Sequence, residues 1–411
     1  MKKYPTYKPS GVEWIGNIPD NWDFKKIKYL IKHISISTYI KEEDETYIAL
    51  ENIESWTGKI ILNEALGGFE STAKKFTEND ILFGKLRPYL AKVVMPDFKG
   101  VCVSEILVLR PISIIREFLY YILLNPNFID FVSQTAEGTK MPRTSWAKIG
   151  ELKFPLPTKR DQLTIVQFLH YKTSEIDSFI ASRQNQIELL KVQKAGIINK
   201  AVTKGIKPNA KMKASGIEWL PEVPESWEVW RMKFLSKIGT GNKNTEDAED
   251  DGAYPFYVRS DNVERISSYS FEGEAILTAG DGVGVAKVYH YANGKMAIHQ
   301  RVYKISHFKR VLGEFLYYYI KDNFEKEVIK LSAKTTVDSL RMHMLGNFPV
   351  AHPSKEEQNE ILDFIKTETT IIDNLISKYQ KQIDLMQEYR TSLISQTVTG
   401  KIDVRDWKLK K

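Results

Sequence analysis

The sequence predicts an α+β protein with a pseudo-twofold internal repeat, in which two mixed α/β globular segments are separated by two long antiparallel coiled-coil helices. Three observations support this fold class. Motifs of the first half return in the same order in the second half. Each half ends in a long run of apolar residues at helical spacing. The remaining segments mix strand-like and helix-like runs between Gly, Asn and Asp turns, without a regular βαβ alternation.

The repeat is clearest in an opening Ser-Gly-x-Glu-Trp motif that is followed by a Pro and a second Trp. It occupies residues 10–14, 19 and 22, and it returns at residues 215–219, 224 and 227. A Glu-Phe-Leu-Tyr-Tyr run is also duplicated, at 117–121 and 314–318. The repeat is longer than the roughly 20–50-residue units of solenoid proteins. The chain is therefore a tandem duplication whose halves differ most between the shared motifs.

Two long helices are predicted from Thr158 to about Thr203 and from Ser354 to about Val398, where apolar residues recur in steps of three and four. A helix of about 40 residues is about 60 Å long. Either helix alone would leave its apolar seam in water, so we expect the two seams to pack together in an antiparallel pair. The alternative is that each helix packs only on its own globular segment. The seam residues are Ile176, Ile180, Ile187, Leu190 and Ile197, and Ile372, Ile376, Ile383, Met386 and Leu393.

The predicted helix ends and seam also contain informative polar residues. Thr158 and Ser354 follow a proline and are suitable N-caps, and Glu357 stands where the acid of a capping box would lie. Arg183 matches Tyr379 and Lys194 matches Arg390 within the two seams. Polar residues on an apolar seam define its register rather than adding stability.

The chain divides into four predicted segments at the ends of these helices. They are a first globular segment at 1–157, a central helix at 158–206, a second globular segment at 207–353 and a C-terminal helix with a tail at 354–411. Within the globular segments we expect strands at 101–109, 287–290 and 297–305, and helices at 116–131 and 312–332.

Composition excludes several classes of protein. The single cysteine, Cys102, rules out an internal disulfide and a cysteine-based zinc site, and it is typical of a reducing cytoplasm. The seven histidines lack metal-ligand spacing. No apolar run approaches the roughly 20 residues of a membrane span, and the start of the chain does not resemble a signal peptide. The net charge of +7 is compatible with a polyanionic partner.

Two clusters in the first half combine cations with hydroxyl or planar side chains, at residues 84–92 and 138–146. Side chains of this kind bind DNA: Lys contacts phosphate, Arg can donate two hydrogen bonds to guanine, and Ser or Thr can contact either. For one loop alone, a solvated basic turn is the simpler interpretation. The candidate residues are Lys85, Arg87, Tyr89, Lys92, Thr139, Lys140, Arg143 and Ser145.

The second half has comparable loops with different side chains. Lys140 aligns with Lys334 and Ser145 with Ser339, while Val337 replaces Arg143. Two domains that recognise different base sequences would share the cations that bind phosphate and differ in the residues next to them. The candidates in this half are Lys287, His299, Arg301, Lys334, Thr335, Thr336, Ser339 and Arg341.

Catalytic motifs are absent from the sequence, so no catalytic or metal-binding residue is predicted. Residues 280–284 lack the spacing of a dinucleotide-binding loop, and 284–287 do not form a P-loop. The stretch 125–128 differs from an adenine methyltransferase motif at its third position. Asp97 and Glu105 lack the lysine of a nuclease pattern.

Taken as an ensemble, these motifs resemble the specificity subunit of type I restriction-modification systems over essentially the full chain. The resemblance rests on the duplicated opening motif, the runs at 85–89 and 138–143, and the two helices introduced by Pro157 and Pro353. It implies two target-recognition domains, each reading half of a bipartite site in double-stranded DNA, with the helices as spacer. It also implies two adenine methyltransferase subunits that use S-adenosylmethionine, and restriction subunits that use ATP and Mg²⁺. This chain would bind none of these cofactors.

Three function classes remain open at this point. The favoured class is a non-catalytic DNA-reading subunit. The second is an enzyme, a nuclease or methyltransferase with an unrecognised site, which turnover by the purified chain would support. The third is a coiled-coil adaptor without DNA binding, against which the paired basic loops argue.

Overall fold

The computed structural model describes residues 2–39, 42, 45–62, 72–282, 287–331 and 339–408. The chain forms two compact units, unit 1 with residues 1–183 and 381–411, and unit 2 with residues 184–380. Each unit therefore holds one globular part and a portion of each long helix. The division into four segments made from the sequence follows the helix ends instead, and it stays a prediction.

Unit 1 contains short strands and three short helices before the first long helix. The strands are β1 (Tyr7–Pro9), β2 (Asn17–Pro19), β3 (Asp23–Lys26), β4 (Ile31–Ile34), β5 (Ser37–Thr38), β6 (Thr46–Ile48), β7 (Ala73–Phe76), β8 (Ile81–Gly84), β9 (Val93–Val94), β10 (Gly100–Val103), β11 (Ile106–Pro111) and β12 (Lys153–Leu156). The helices are α1 (Arg116–Leu123), α2 (Pro126–Gln134), α3 (Trp146–Glu151) and the long α4 (Lys159–Lys204), whose second part belongs to unit 2. The strand orders are β4-β11-β8-β9 and β5-β7-β10-β6, with separate pairs β1-β2 and β12-β3.

Unit 2 repeats this plan with longer strands. The strands are β13 (Met212–Ile217), β14 (Leu220–Pro224), β15 (Glu228–Arg231), β16 (Lys237–Thr240), β17 (Tyr254–Tyr257), β18 (Val263–Ile266), β19 (Phe271–Ala279), β20 (Tyr289–Ile298), β21 (Val302–Ser306) and β22 (Pro349–His352). The helices are α5 (Met232–Leu235), α6 (Gly313–Leu331), α7 (Met342–Asn347) and the long α8 (Lys355–Val398). One sheet has the order β16-β21-β19-β20-β17-β18, and β13-β14 and β15-β22 form pairs.

The strand pairing confirms the internal repeat predicted from the sequence. In both units the strand before the long helix pairs antiparallel with an early strand, β12 with β3 and β22 with β15. Among the described strands each unit also has a parallel pair, β10 with β6 and β20 with β17. Within these pairs Cys102 lies opposite Ile48, and Ile298 lies opposite Tyr257.

The duplicated opening motif forms a turn and a core residue in each unit. The Ser10 hydroxyl accepts a hydrogen bond from the Val12 amide at 3.1 Å, and the Ser215 hydroxyl accepts one from the Ile217 amide at 2.8 Å. The glycines between them have φ angles of 73° and 74°, a left-handed conformation that favours glycine. The later tryptophans of the motif, at positions 22 and 227, are fully buried. The motif is therefore a folding element of each unit.

The helix boundaries agree with the predicted ones. The Thr158 hydroxyl accepts from the Asp161 amide at 3.2 Å, and the Ser354 hydroxyl accepts from the Glu357 amide at 3.4 Å, which supports both predicted N-caps. The Glu357 carboxylate does not serve the predicted capping box. It accepts from the Trp227 indole at 3.3 Å and lies 3.5 Å from the Lys207 ammonium. A long-range partner thus takes the place of the local one.

The two long helices pair antiparallel within each unit. In unit 2, Lys194 of α4 pairs with Asp373 of α8, and Lys207 beyond the end of α4 reaches Glu357 near the start of α8. In unit 1, Asp177 of α4 pairs with Arg390 of α8, and the ring of Phe168, earlier on α4, lies 5.6 Å from that of Trp407, beyond the end of α8.

The predicted seam residues lie along this pairing. Buried residues of the seam are Ile176, Ile187, Ile372, Ile383 and Leu393, and half-buried ones are Ile180, Leu190, Ile197, Ile376 and Met386.

Several elements differ from the sequence prediction. The helix expected at 116–131 is two helices, because Pro126 cannot donate a backbone hydrogen bond and Asn125 caps α2 by accepting from the Asn127 amide at 2.9 Å. The strands expected at 101–109 and 297–305 are each split by a turn. These turns contain Glu105 in unit 1 and Arg301 in unit 2.

The described residues contain no helix long and apolar enough to cross a membrane. Across the same residues no group of three or more His, Cys, Asp or Glu side chains could hold a metal ion. Cys102 is buried, and desolvation raises the pKa of its thiol to about 12, so the thiol is protonated at neutral pH.

Candidate nucleic-acid interface

The two basic clusters of unit 1 form one surface. Loop 85–92 joins β8 to β9, and loop 135–145 joins α2 to α3. The Arg87 amide donates to the Pro142 carbonyl at 2.7 Å, and the Thr144 amide donates to the Lys85 carbonyl at 3.0 Å. The Lys85 amide donates to the carbonyl of Glu105, in the β10–β11 turn, at 2.9 Å. Three segments that are distant in sequence are thereby held together.

Loop 85–92 carries its side chains on a tight and constrained backbone. Arg87 and Ala91 have φ angles of 49° and 45°, which are uncommon for residues other than glycine. Between them Pro88 is buried and starts a single 3₁₀ turn. Arg87 and Tyr89 are exposed, so the buried proline anchors the loop and presents a cation and an aromatic ring to solvent.

Loop 135–145 presents exposed cations beside a short backbone ladder. The Glu137 amide donates to the Arg143 carbonyl at 2.9 Å, and the Arg143 amide donates back to the Glu137 carbonyl at 2.8 Å. Thr139, Lys140 and Arg143 are exposed. The loop tip is therefore bounded by backbone hydrogen bonds, and its cations face solvent.

The carboxylate of Glu105 lies among these cations. The Glu105 oxygens are 3.2 and 3.3 Å from the Arg143 Nε, and one of them is 4.0 Å from the Lys85 ammonium. The side chain of Glu105 is 24 % exposed, against 44 % for Arg143. The sequence singled out both cations as candidates but did not connect Glu105 with them.

Two predicted candidates of unit 1 have structural contacts instead. The Lys92 ammonium donates to the carbonyls of Leu50 and Ile53 at 2.6 and 2.7 Å, and desolvation lowers the pKa of this amine. The Ser145 hydroxyl accepts from the Lys148 amide at 3.4 Å as the N-cap of α3. We therefore assign Lys92 and Ser145 to holding the loops in place.

Unit 2 uses the same backbone arrangement with different residues. The Gly280 amide donates to the Arg301 carbonyl at 2.8 Å, and the Leu340 amide donates to the Gly280 carbonyl at 2.7 Å. Gly280 is thus equivalent to Lys85, and Leu340 to Thr144. Arg301 occupies the place of the acid Glu105, so the sign of the charge at this position is reversed.

This equivalence corrects the alignment made from residue types. Arg341 precedes α7 as Ser145 precedes α3, so these two are equivalent, and Ser339 corresponds to Arg143 rather than to Ser145. The alignment based on the sequence was displaced by two residues in this loop. Backbone hydrogen bonds define the equivalent positions, whereas Ser and Thr recur too often to do so.

A carboxylate again lies between two cations in unit 2. Asp281 accepts from Arg259 at 2.9 Å and from Arg301 at 3.0 Å. Desolvation acts to raise the pKa of Asp281, but the two guanidinium groups outweigh it and the pKa is below its usual value. Arg259 was missed by sequence reasoning because it stands alone in a turn after β17.

Of the remaining candidates in unit 2 that the structure describes, some are exposed to solvent and one is buried. Lys287, Ser339 and Arg341 are exposed. His299 is buried, its Nδ1 accepts from the Arg301 amide at 3.0 Å, and desolvation lowers the pKa of its ring. It is therefore a structural residue of the β20–β21 turn rather than an exposed contact. Lys334, Thr335 and Thr336 lie outside the described residues.

Comparison with known proteins identifies the family of this chain. The family model of the type I restriction modification DNA specificity domain matches the chain twice, over residues 19–189 and 224–385. The chain belongs to this family. Each match covers one globular part and the start of the helix that follows it, as the internal repeat requires. With two DNA specificity domains, the chain is the DNA-recognition subunit of a type I restriction-modification complex.

Relatives and a solved structure agree with this assignment. The specificity subunit of the type I restriction enzyme MjaVIII of Methanocaldococcus jannaschii is 26 % identical over 421 residues, covering 95 % of each chain. The EcoDI specificity subunit of Escherichia coli is 26 % identical over 187 residues, covering 46 % of this chain and 41 % of the relative. A chain solved in a study of complex assembly and conformational transition of the type I R-M system has a TM-score of 0.70 at 16 % identity, covering 94 % of this chain and 99 % of the other. That likeness shows the fold alone.

Proposed function

We propose that each unit reads one half of a bipartite site in double-stranded DNA, through the loops 85–92 and 135–145 in unit 1 and their counterparts in unit 2. The observation that carries this proposal is the shared backbone arrangement with different side chains. Lys85, Glu105 and Arg143 in one unit stand where the other has Gly280, Arg301 and Ser339. A conserved frame with changed base-facing groups suits two readers of different sequences.

The exposed cations supply both kinds of DNA contact. Lys140 is a flexible point charge that suits a phosphate. Arg143 has its Nε directed at Glu105, and its Nη1 donates to the Met141 carbonyl at 3.3 Å. The second hydrogen of Nη1 and those of Nη2 remain to donate to two acceptors such as guanine O6 and N7. Tyr89 adds an exposed aromatic surface beside them.

The paired helices α4 and α8 are proposed to act as the spacer between half-sites and to carry two methyltransferase subunits. Those subunits would bind S-adenosylmethionine and modify adenine, and restriction subunits would bind ATP and Mg²⁺. The sequence of this chain contains no motif for any of these activities, which favours a subunit without catalysis of its own. We propose that the complex works in the cytoplasm, as the single buried thiol suggests.

Reconstitution tests this proposal. The purified full-length chain should bind duplex DNA with an affinity that falls steeply with salt, and it should neither methylate nor cut DNA. Addition of the methyltransferase subunits should give adenine methylation at a bipartite motif, mapped by sequencing of methylated DNA. Turnover by the pure chain with S-adenosylmethionine would support an enzyme instead. Absence of salt-dependent binding would support a coiled-coil adaptor.

A further inference from the structure

Both units place one carboxylate between two cations at the junction of the DNA-facing loops. In unit 1 the acid is Glu105, between Lys85 and Arg143. In unit 2 it is Asp281, between Arg259 and Arg301. The same charge pattern therefore occurs at corresponding sites of both units.

The two acids do not occupy equivalent positions in the repeat. Glu105 lies in the β10–β11 turn, and its counterpart in unit 2 is the cation Arg301. Asp281 follows Gly280 in the other loop, where unit 1 has Leu86, as the isolated bridges of these residues show. Both copies of the repeat therefore have an acid between two cations, but the acid comes from a different position of the repeat in each unit. This is difficult to explain as a remnant of the duplication, and it points to a requirement of the surface itself.

The physical consequence follows from where DNA phosphates would approach. A phosphate that contacts Arg143 or Lys85 also comes close to the Glu105 carboxylate, and like charges repel. The carboxylate therefore forms the ion pairs with these cations that a phosphate would otherwise form. A base edge is uncharged and can accept from the remaining N–H groups of Arg143, those not donated to Glu105 or to the Met141 carbonyl, without displacing the acid. The arrangement disfavours phosphate contacts relative to base contacts.

Resting on the proposed DNA-reading function, we propose that Glu105 and Asp281 are specificity-determining residues that act as internal counter-anions. Each one holds two cations at the loop junction, lowers the affinity of those cations for phosphate on any sequence, and keeps them directed at base edges. Neither acid contacts a base itself. Each is a positioning residue, which acts through Arg143 in unit 1 and through Arg259 and Arg301 in unit 2.

The test compares Glu105→Gln with the wild-type full-length chain on two duplexes. One duplex contains the methylated motif mapped in the host genome, and the other has the same composition in scrambled order. Removing one charge about 5 Å from a phosphate in water should raise affinity for the scrambled duplex about fourfold at low salt. The slope of log affinity against log salt should become steeper by about one unit, because one more phosphate is neutralised. Affinity for the motif should change much less, so that discrimination falls.

Glu151→Gln is the matched control, since it removes one charge from the same unit. Glu151 lies 2.7 Å from the Lys26 ammonium and 2.5 Å from the Lys28 ammonium, outside the loops 85–92 and 135–145. This variant should leave discrimination and the salt slope as in the wild type. Asp281→Asn tests the second unit independently and serves if Glu105→Gln fails to fold, which thermal unfolding reports.

The outcomes separate the possibilities. If both acid variants behave like Glu151→Gln, the counter-anion role is wrong. If either variant replaces one base pair of the methylated motif with a different base pair, the acid reads a base directly and the inference is also wrong. If the wild-type chain itself shows no salt-dependent binding, the DNA-reading proposal fails before the role of the acids is tested.

Discussion

The Lys194 ammonium lies 2.7 Å from both carboxylate oxygens of Asp373 and joins α4 to α8 within unit 2. In unit 1 the same two positions of the repeat are Arg390 and Asp177, which pair at 3.4 Å with the cation on α8 and the acid on α4. An ion pair thus joins α4 to α8 at this position of both units. The cation lies on α4 in unit 2 and on α8 in unit 1. Lys194 and Arg390, two of the polar residues expected to define the register of the seam, therefore have partners across it.

These two pairs should differ in their contribution to stability. The Arg390 side chain is 12 % exposed, and its Nη1 donates to the Trp56 carbonyl at 3.1 Å, whereas Lys194 is 31 % exposed. Arg390→Ala leaves the partly buried Trp56 carbonyl and Asp177 without their partner, so we expect a loss of about 2–4 kcal/mol. Lys194→Ala should cost less than about 1 kcal/mol, as for other partly exposed pairs. Urea unfolding of both variants measures the difference, and equal losses would contradict it.

Lys140 and Arg143 should have separable effects on DNA binding. Lys140→Ala should weaken binding about equally on all sequences and reduce the salt slope by about one unit. Arg143→Ala should cost roughly 1–3 kcal/mol on the cognate site and relax one position of its half-site. Binding to cognate and scrambled duplexes and mapping of the methylated motif check both. Full affinity with an unchanged motif in both variants would remove this loop from the interface.

Lys92 should affect folding rather than DNA contacts. Lys92→Met leaves the carbonyls of Leu50 and Ile53 without their ammonium donor, so we expect a loss of about 1–3 kcal/mol of stability. At temperatures below the unfolding transition of the variant, its slope of log DNA affinity against log salt concentration should equal that of the wild type. A slope reduced by about one unit with normal stability would instead place Lys92 on a phosphate.

The paired helices should act as a ruler for the gap between half-sites. Because Lys194 faces Asp373, a matched insertion of four residues near Gln193 and near Asn374 lengthens both helices by about 6 Å and turns them about 40° beyond one helical turn. One base pair advances about 3.4 Å and turns about 35°.

The rotation matches one added base pair, while the length allows two. We expect both half-site sequences to persist and the unread gap to widen by one base pair, or else by two. Mapping of the methylated motif in the insertion strain measures the gap. An unchanged gap with normal methylation would show that these helices are not the spacer.

The sequence alone determined the repeat, the ends of α4 and α8, the seam residues and the two basic loops of unit 1. These features are local: helical periodicity, N-caps and clusters of charge are visible within a few turns of chain. The fold class followed from them, because a long apolar stripe must be covered by another element.

Only the tertiary structure decided which side chains meet at the candidate interface. The hydrogen bonds of Arg87 with Pro142 and of Thr144 with Lys85 join segments more than 50 residues apart, and strand pairing places Glu105 between them. The same pairing buries His299, directs Lys92 to backbone carbonyls and brings Arg259 to Asp281. Residue types cannot reveal such contacts, because a cation in a loop has the same sequence pattern whether it faces solvent, a carbonyl or a carboxylate. The partner depends on the register of strands that are distant in the sequence, and this register is established only when the whole chain folds.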